Sequence, residues 1–87
     1  MKNYGEVHVE AFKITPIHIY YECPYCYQKY NSIGKPRKNS KKQIHKHGSG
    51  NHFENRIETR SSHCGTLGDC VYHAYIHITD KTERIYN

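Results

Sequence analysis

The sequence predicts a small β-rich domain, or failing that an α+β one, built on an antiparallel sheet and held by a structural metal ion. Three observations predict it. Apolar residues recur with a period of two in several stretches, as half-buried strands require. Only 36% of the 87 residues are hydrophobic, with no Trp, one Met and two Phe, so a core this small needs a covalent or metal staple. Cys23-Pro24-Tyr25-Cys26 sits where one strand-like run ends, and Cys64 and Cys70 follow far downstream.

Near the start, Val7, Val9 and Ala11 alternate with Glu6, His8 and Glu10, the pattern of a strand with one face covered. After Thr15-Pro16, Ile17, Ile19 and Tyr21 share a face that leads to Cys23, so the strand delivers the first thiol to its turn. Residues 32–43 carry Gly34, Pro36, Asn39 and two serines among basic residues and read as an exposed basic loop within a single domain, 1–87.

Lys41 to His47 reads as a short strand with His45 and His47 on one side, ended by Gly48-Ser49-Gly50-Asn51. From Asn55 to His63, a strand would align Arg56, Glu58 and Arg60, whereas a helix would align Arg56 with Arg60; strand is favoured. Val71 to Thr79 is the clearest strand, with Tyr72, Ala74, Ile76 and Ile78 facing inward. Its Ile76-His77-Ile78 repeats Ile17-His18-Ile19, which suggests that these two strands pair in one sheet. Asp80-Lys81-Thr82 reads as a turn before a polar tail.

Two thiolates separated by two residues reach one ion from a single tight turn, and a distant pair completes a tetrahedron. Met1 to Glu6 lacks the apolar stretch of a signal peptide, so an intracellular location is expected. In a reducing compartment four cysteines favour zinc over disulfides. The simplest ligand set is Cys23, Cys26, Cys64 and Cys70, a zinc-ribbon-like arrangement. The five residues between Cys64 and Cys70 exceed the usual spacing, which leaves His63, His47 or His45 open as the alternative fourth ligand. His18 and His77, alone in alternating strands, are expected to face solvent or to satisfy a hydrogen bond.

The net charge of +5 is concentrated. From Cys23 to Phe53 there is no acidic residue, whereas Lys29, Lys35, Arg37, Lys38, Lys41, Lys42 and Lys46 are basic and Tyr25, Tyr27 and Tyr30 lie among or beside them. Cations neutralise phosphates and tyrosine rings stack on unpaired bases, so Tyr27, Tyr30, Lys35, Arg37, Lys38, Lys41, Lys42 and Lys46 are the expected nucleic-acid contacts. No Ser/His/Asp order, Gly-rich phosphate loop, paired-carboxylate motif or membrane-length apolar run is present, so neither a small-molecule substrate nor a membrane is expected. The expected function is non-catalytic binding of nucleic acid by a zinc-stapled module. The alternative is a domain that offers the same basic, tyrosine-rich surface to a protein partner.

A cysteine pair, the histidine-rich His45-Lys46-His47-Gly48, Asn51, Arg56 and a second cysteine pair are together similar to the His-Me finger nucleases. That resemblance implies His47 or His45 as a base, Asn51 or Asn55 as a metal-holding or orienting residue, and a zinc staple on the cysteines. Gln43 and Ile44 occupy the places where the family carries an acidic metal ligand. CPYC, the basic loop, His-Lys-His-Gly-Ser and the terminal Ile-His-Ile-Thr-Asp also resemble short Cys/His proteins of large DNA viruses. This second resemblance implies a viral protein in host cytoplasm or virion, with a viral assembly as possible partner.

Overall fold

The computed structural model describes residues 2–50, 53–63 and 70–86, and among these there are strands and turns but no helix. Seven strands follow in order: β1 (Lys2–Glu10), β2 (Lys13–Ile14), β3 (His18–Tyr27), β4 (Lys42–Gly48), β5 (Arg56–His63), β6 (Cys70–Ile78) and β7 (Glu83–Arg84). They form two sheets, β1-β6-β5 and β4-β3-β2-β7.

Both sheets are mixed, which corrects the expectation of an antiparallel one. β5–β6, β3–β4 and β2–β3 are antiparallel, but β1 runs parallel to β6 and β2 parallel to β7. Parallel neighbours need a long connection rather than a hairpin, and here nearly the whole chain lies between the partners. The Ile-His-Ile strands do not pair with each other either. β6 has both hydrogen-bonding edges taken by β1 and β5, and β3 has both taken by β4 and β2, so the two strands meet only through their faces.

That meeting is the core. Ala11, Ile14, Ile19, Tyr21, Cys23 and Cys26 pack with Cys70, Tyr72, Ala74, Ile76 and Ile78, all essentially inaccessible to water. The alternation in β6 buries Cys70, Tyr72, Ala74, Ile76 and Ile78 on one face, and in β3 it buries Ile19, Tyr21 and Cys23. Each fully buried isoleucine contributes about 1.5–3 kcal/mol relative to an exposed one. Ile17 departs from this pattern and is 65% exposed. The Thr15 hydroxyl oxygen accepts the His18 N–H at 3.0 Å, and this tight turn delays the strand to His18, leaving Ile17 outside its alternation.

β5 is strand, and its inward side is polar. Glu58 is buried and paired with Arg56 and with Arg60, whose Nη2 lies 3.1 Å from Oε2, while Ile57 on the opposite face is half exposed. Gly5, at φ +70°, stands where the β1–β6 register slips between Asn3 and Glu6, a bulge conformation that glycine adopts without strain. Lys42 and Gln43, expected at the end of the basic loop, are the first residues of β4. Glu83 and Arg84, at the start of the expected polar tail, form β7.

The basic connection between β3 and β4 is exposed but internally bonded. Asn31 Oδ1 accepts the N–H groups of Ile33 and Lys35, the Arg37 N–H reaches the Lys29 carbonyl at 3.1 Å, and the Gln28 N–H reaches that of Lys41 at 2.9 Å. A bridge between Tyr30 and Pro36 closes the arm.

Candidate metal centre

β3 turns its inward face to β6 at the end where Cys23, Cys26 and Cys70 meet. Cys23 lies on the face of Ile19 and Tyr21 because residues two apart share a side, and the Cys23–Cys26 step brings the second thiol inward. The three sulfurs lie within 4.8 Å of one another, and all three residues are buried. The Cys26 thiol donates to Cys70 Sγ at 3.1 Å. Tetrahedral zinc with Zn–S bonds near 2.3 Å would hold sulfurs about 3.8 Å apart, so the cluster needs only small adjustments to close on an ion.

Cys70 is disulfide-bonded in this structure. A thiolate is the metal ligand, so occupation of the centre through Cys70 requires that bond to be reduced. Cys64, expected as a ligand, also lies outside the described residues. The soft, all-sulfur donor set suits zinc or another thiophilic ion, with the three cysteines as its ligands.

The environment prepares the sulfurs unequally. Burial pushes the Cys23 thiol up, but hydrogen bonds from His45, the Tyr72 hydroxyl and the N–H groups of Tyr25 and Cys26 outweigh it, and its pKa falls to about 7. The Tyr72 hydroxyl donates to Cys23 Sγ at 3.2 Å and the Tyr25 N–H at 3.4 Å. Burial and then the Cys23 charge raise Cys26 against a hydrogen bond from Tyr30. One thiolate therefore stands ready near neutral pH, and the remaining protons leave as the ion enters.

Around the cluster runs a buried polar chain that joins the sheets. The Tyr21 hydroxyl is hydrogen-bonded to Ser62 Oγ on β5 and lies 3.0 Å from the Tyr72 hydroxyl on β6. Ser62 Oγ is 3.4 Å from His47 Nε2. Burial raises the pKa of both tyrosines, which keeps them neutral donors. His45 and His47 stack on the Tyr21 ring, with centroids at 5.3 and 5.8 Å. Burial, with His45 and Arg60 adding to it, pushes the His47 imidazole below its ordinary value.

The alternative ligands are therefore placed differently. His45 touches Cys23, whereas His47 is directed to Ser62. His63 is exposed and alternates with buried Ser62, so it lies on the opposite face of β5. Of the residues named by the nuclease resemblance, Asn51 lies outside the described residues, and Asn55 bonds Asp80 and Arg84.

The expected nucleic-acid contacts fall on the β3–β4 arm and on β4. Lys35, Arg37, Lys38, Lys41 and Lys46 are exposed. Lys42 is half buried, with Nζ donating to the Pro24 carbonyl at 2.8 Å and lying 4.4 Å from the Tyr27 ring centroid. The Tyr30 hydroxyl accepts the Tyr27 N–H at 2.8 Å, so that ring closes the base of the arm beside Cys26. Tyr25 stacks on Tyr4 with centroids 3.6 Å apart and meets Tyr72 edge-on.

Sequence reasoning named the cysteines but missed Tyr21, Tyr72 and Ser62 as their surroundings. The alternation placed Tyr21 and Tyr72 inward, and the signal was there: a buried tyrosine hydroxyl needs a partner. No family model, no curated protein and no solved structure matches this chain.

Proposed function

We propose that the protein is a metal-stapled module that binds nucleic acid through its basic β3–β4 arm, with zinc as the ion. One observation carries this: an exposed arm without acidic residues, bearing Lys29, Lys35, Arg37, Lys38 and Lys41, is rooted at the cysteine cluster through the Lys42–Pro24 hydrogen bond. Zinc on Cys23, Cys26 and Cys70, with His45 or Cys64 as fourth ligand, would lock that root and set the direction in which the cations project. A closed site of four protein ligands is structural and leaves no position for substrate water.

Two measurements test it. Reduced protein purified without added metal should contain about one zinc per chain, and Cys26→Ser should lose it; a reduced, folded protein without metal refutes the staple. Binding to mixed-sequence DNA and RNA should weaken steeply with salt. Changing Lys35, Lys38 and Lys41 together to Gln should flatten the slope by about 2 to 3 units on duplex while leaving the fold unchanged, since each phosphate contact releases condensed counterions. An unchanged slope and affinity refutes the nucleic-acid reading.

The second reading, a protein-binding domain in an assembly, is favoured by Ile33 on the same arm, 76% exposed, and by Ile44 on β4, 48% exposed. Isolated exposed isoleucines suit a protein contact better than a phosphate backbone.

A further inference from the structure

We infer that His8 and His77 form a chelating site for a divalent transition-metal ion on the solvent face of the β1-β6-β5 sheet, apart from the cysteine cluster. β1 and β6 are parallel neighbours, with His8 opposite Tyr75 and Glu10 opposite His77. The faces alternate, so His8, Tyr75 and His77 project away from the core while Tyr72, Ala74, Ile76 and Ile78 fill it.

The two imidazoles meet with His8 Nδ1 only 2.8 Å from His77 Nε2. At that distance one ring donates and the other accepts, so the two nitrogens face each other across one small space, and moving the shared proton to the far nitrogen of its ring leaves a lone pair on each. Zn–N bonds of 2.0–2.1 Å in a tetrahedron put two nitrogens about 3.3 Å apart, a separation reached by moving the rings a few tenths of an ångström and tilting each so that its lone pair turns from the other nitrogen onto the ion. The tautomers required are Nε2–H on His8 and Nδ1–H on His77. The proton now shared between the rings moves to the far nitrogen of the ring that carries it, so a neutral pair binds the ion without net proton release.

The His8 ring is held in place. It stacks on Tyr75 with centroids 4.8 Å apart, and the Tyr75 hydroxyl donates to Glu6 Oε1 at 3.0 Å. Glu10, two residues beyond His8 on the same face, is oriented by Thr79 Oγ1, which donates to its Oε2 at 2.7 Å. Two carboxylates thus flank the imidazole pair and favour a cation there, with water completing its coordination. Imidazole donors select zinc, nickel or copper over calcium and magnesium.

The test uses the full chain with the Cys70 disulfide intact, which keeps the cysteine cluster from closing on an ion, and Ni2+ as the probe, followed by NMR of the imidazole resonances. His8 and His77 should broaden together at the first equivalent, before the exposed His63 and His73. His8→Phe keeps the stack on Tyr75 and removes one nitrogen, so it should weaken binding on the order of a hundredfold, through loss of the chelate, with an unchanged melting temperature. His77→Phe should do the same, and His73→Phe should change nothing. Broadening shared equally among the exposed histidines, or parent-like affinity in folded His8→Phe, overturns the assignment. Because the readout is the two imidazoles, failure of the cysteine-bound metal leaves this result interpretable, and the converse holds.

Discussion

Tyr72→Phe isolates the link between the polar chain and the sulfurs. The ring is retained, so no cavity forms and the packing term is close to zero. What disappears is one hydroxyl, which donates to Cys23 Sγ at 3.2 Å and lies 3.0 Å from the Tyr21 hydroxyl. Neither partner is orphaned, because Tyr21 keeps Ser62 and Cys23 keeps His45 and two backbone N–H groups. The loss is therefore that of made hydrogen bonds, about 1–2 kcal/mol, rather than a full burial penalty. In a domain of this size each kcal/mol corresponds to about 4–8 °C in melting temperature. The same change should raise the Cys23 pKa from about 7, since a donor to the thiolate is gone. Thermal melts of the metal-free protein with the Cys70 disulfide intact and Cys23 free read the first effect, and the 13Cβ shift of Cys23 against pH reads the second. An unchanged melt together with an unchanged Cys23 titration would refute the claim that Tyr72 supports this thiolate.

His47 has a folded-state pKa below its ordinary value of 6.5, so between those two values the unfolded chain binds more protons and stability rises with pH. Its contribution should be complete above about pH 6.5 and fall as the pH drops below that, and His47→Phe, which keeps the stack on Tyr21, should flatten this part of the pH–stability curve in urea titrations; equal slopes would contradict the burial argument. Glu58→Gln leaves Arg56 and Arg60 facing each other without the carboxylate. It should destabilise by about 1.5–3 kcal/mol, toward the lower figure because both arginines are about one-third exposed, and a neutral result in denaturant melts would show that water already screens the triad.

The sequence by itself determined the strands that carry the core. Tyr72, Ala74, Ile76 and Ile78 face inward, as a period of two requires, and Cys23 follows Ile19 and Tyr21 onto the buried side of β3. The shared face of Arg56, Glu58 and Arg60 was legible only as the favoured of two alternatives, since a helix would have aligned Arg56 with Arg60 alone, and the strand observed there settles it. These are local properties, set by backbone geometry and burial along a few residues.

Pairing is not local, and only the tertiary structure decided it. Which edge of β6 accepts β1, and in which direction, depends on the free edges and faces left by every other strand, so the repeated Ile-His-Ile triplets suggested a partnership that the sheets do not make. The company of the cysteines was decided in the same way. Cys70 reaches Cys23 and Cys26 because β6 crosses the face of β3, while His45 is carried to Cys23 by the β3–β4 register that sets it opposite Tyr21. The facing nitrogens of His8 and His77 come from the two ends of the chain and meet only because β1 and β6 are parallel neighbours. Spacing along a chain constrains one turn, whereas a site assembled from three or four strands is defined by how those strands are stacked.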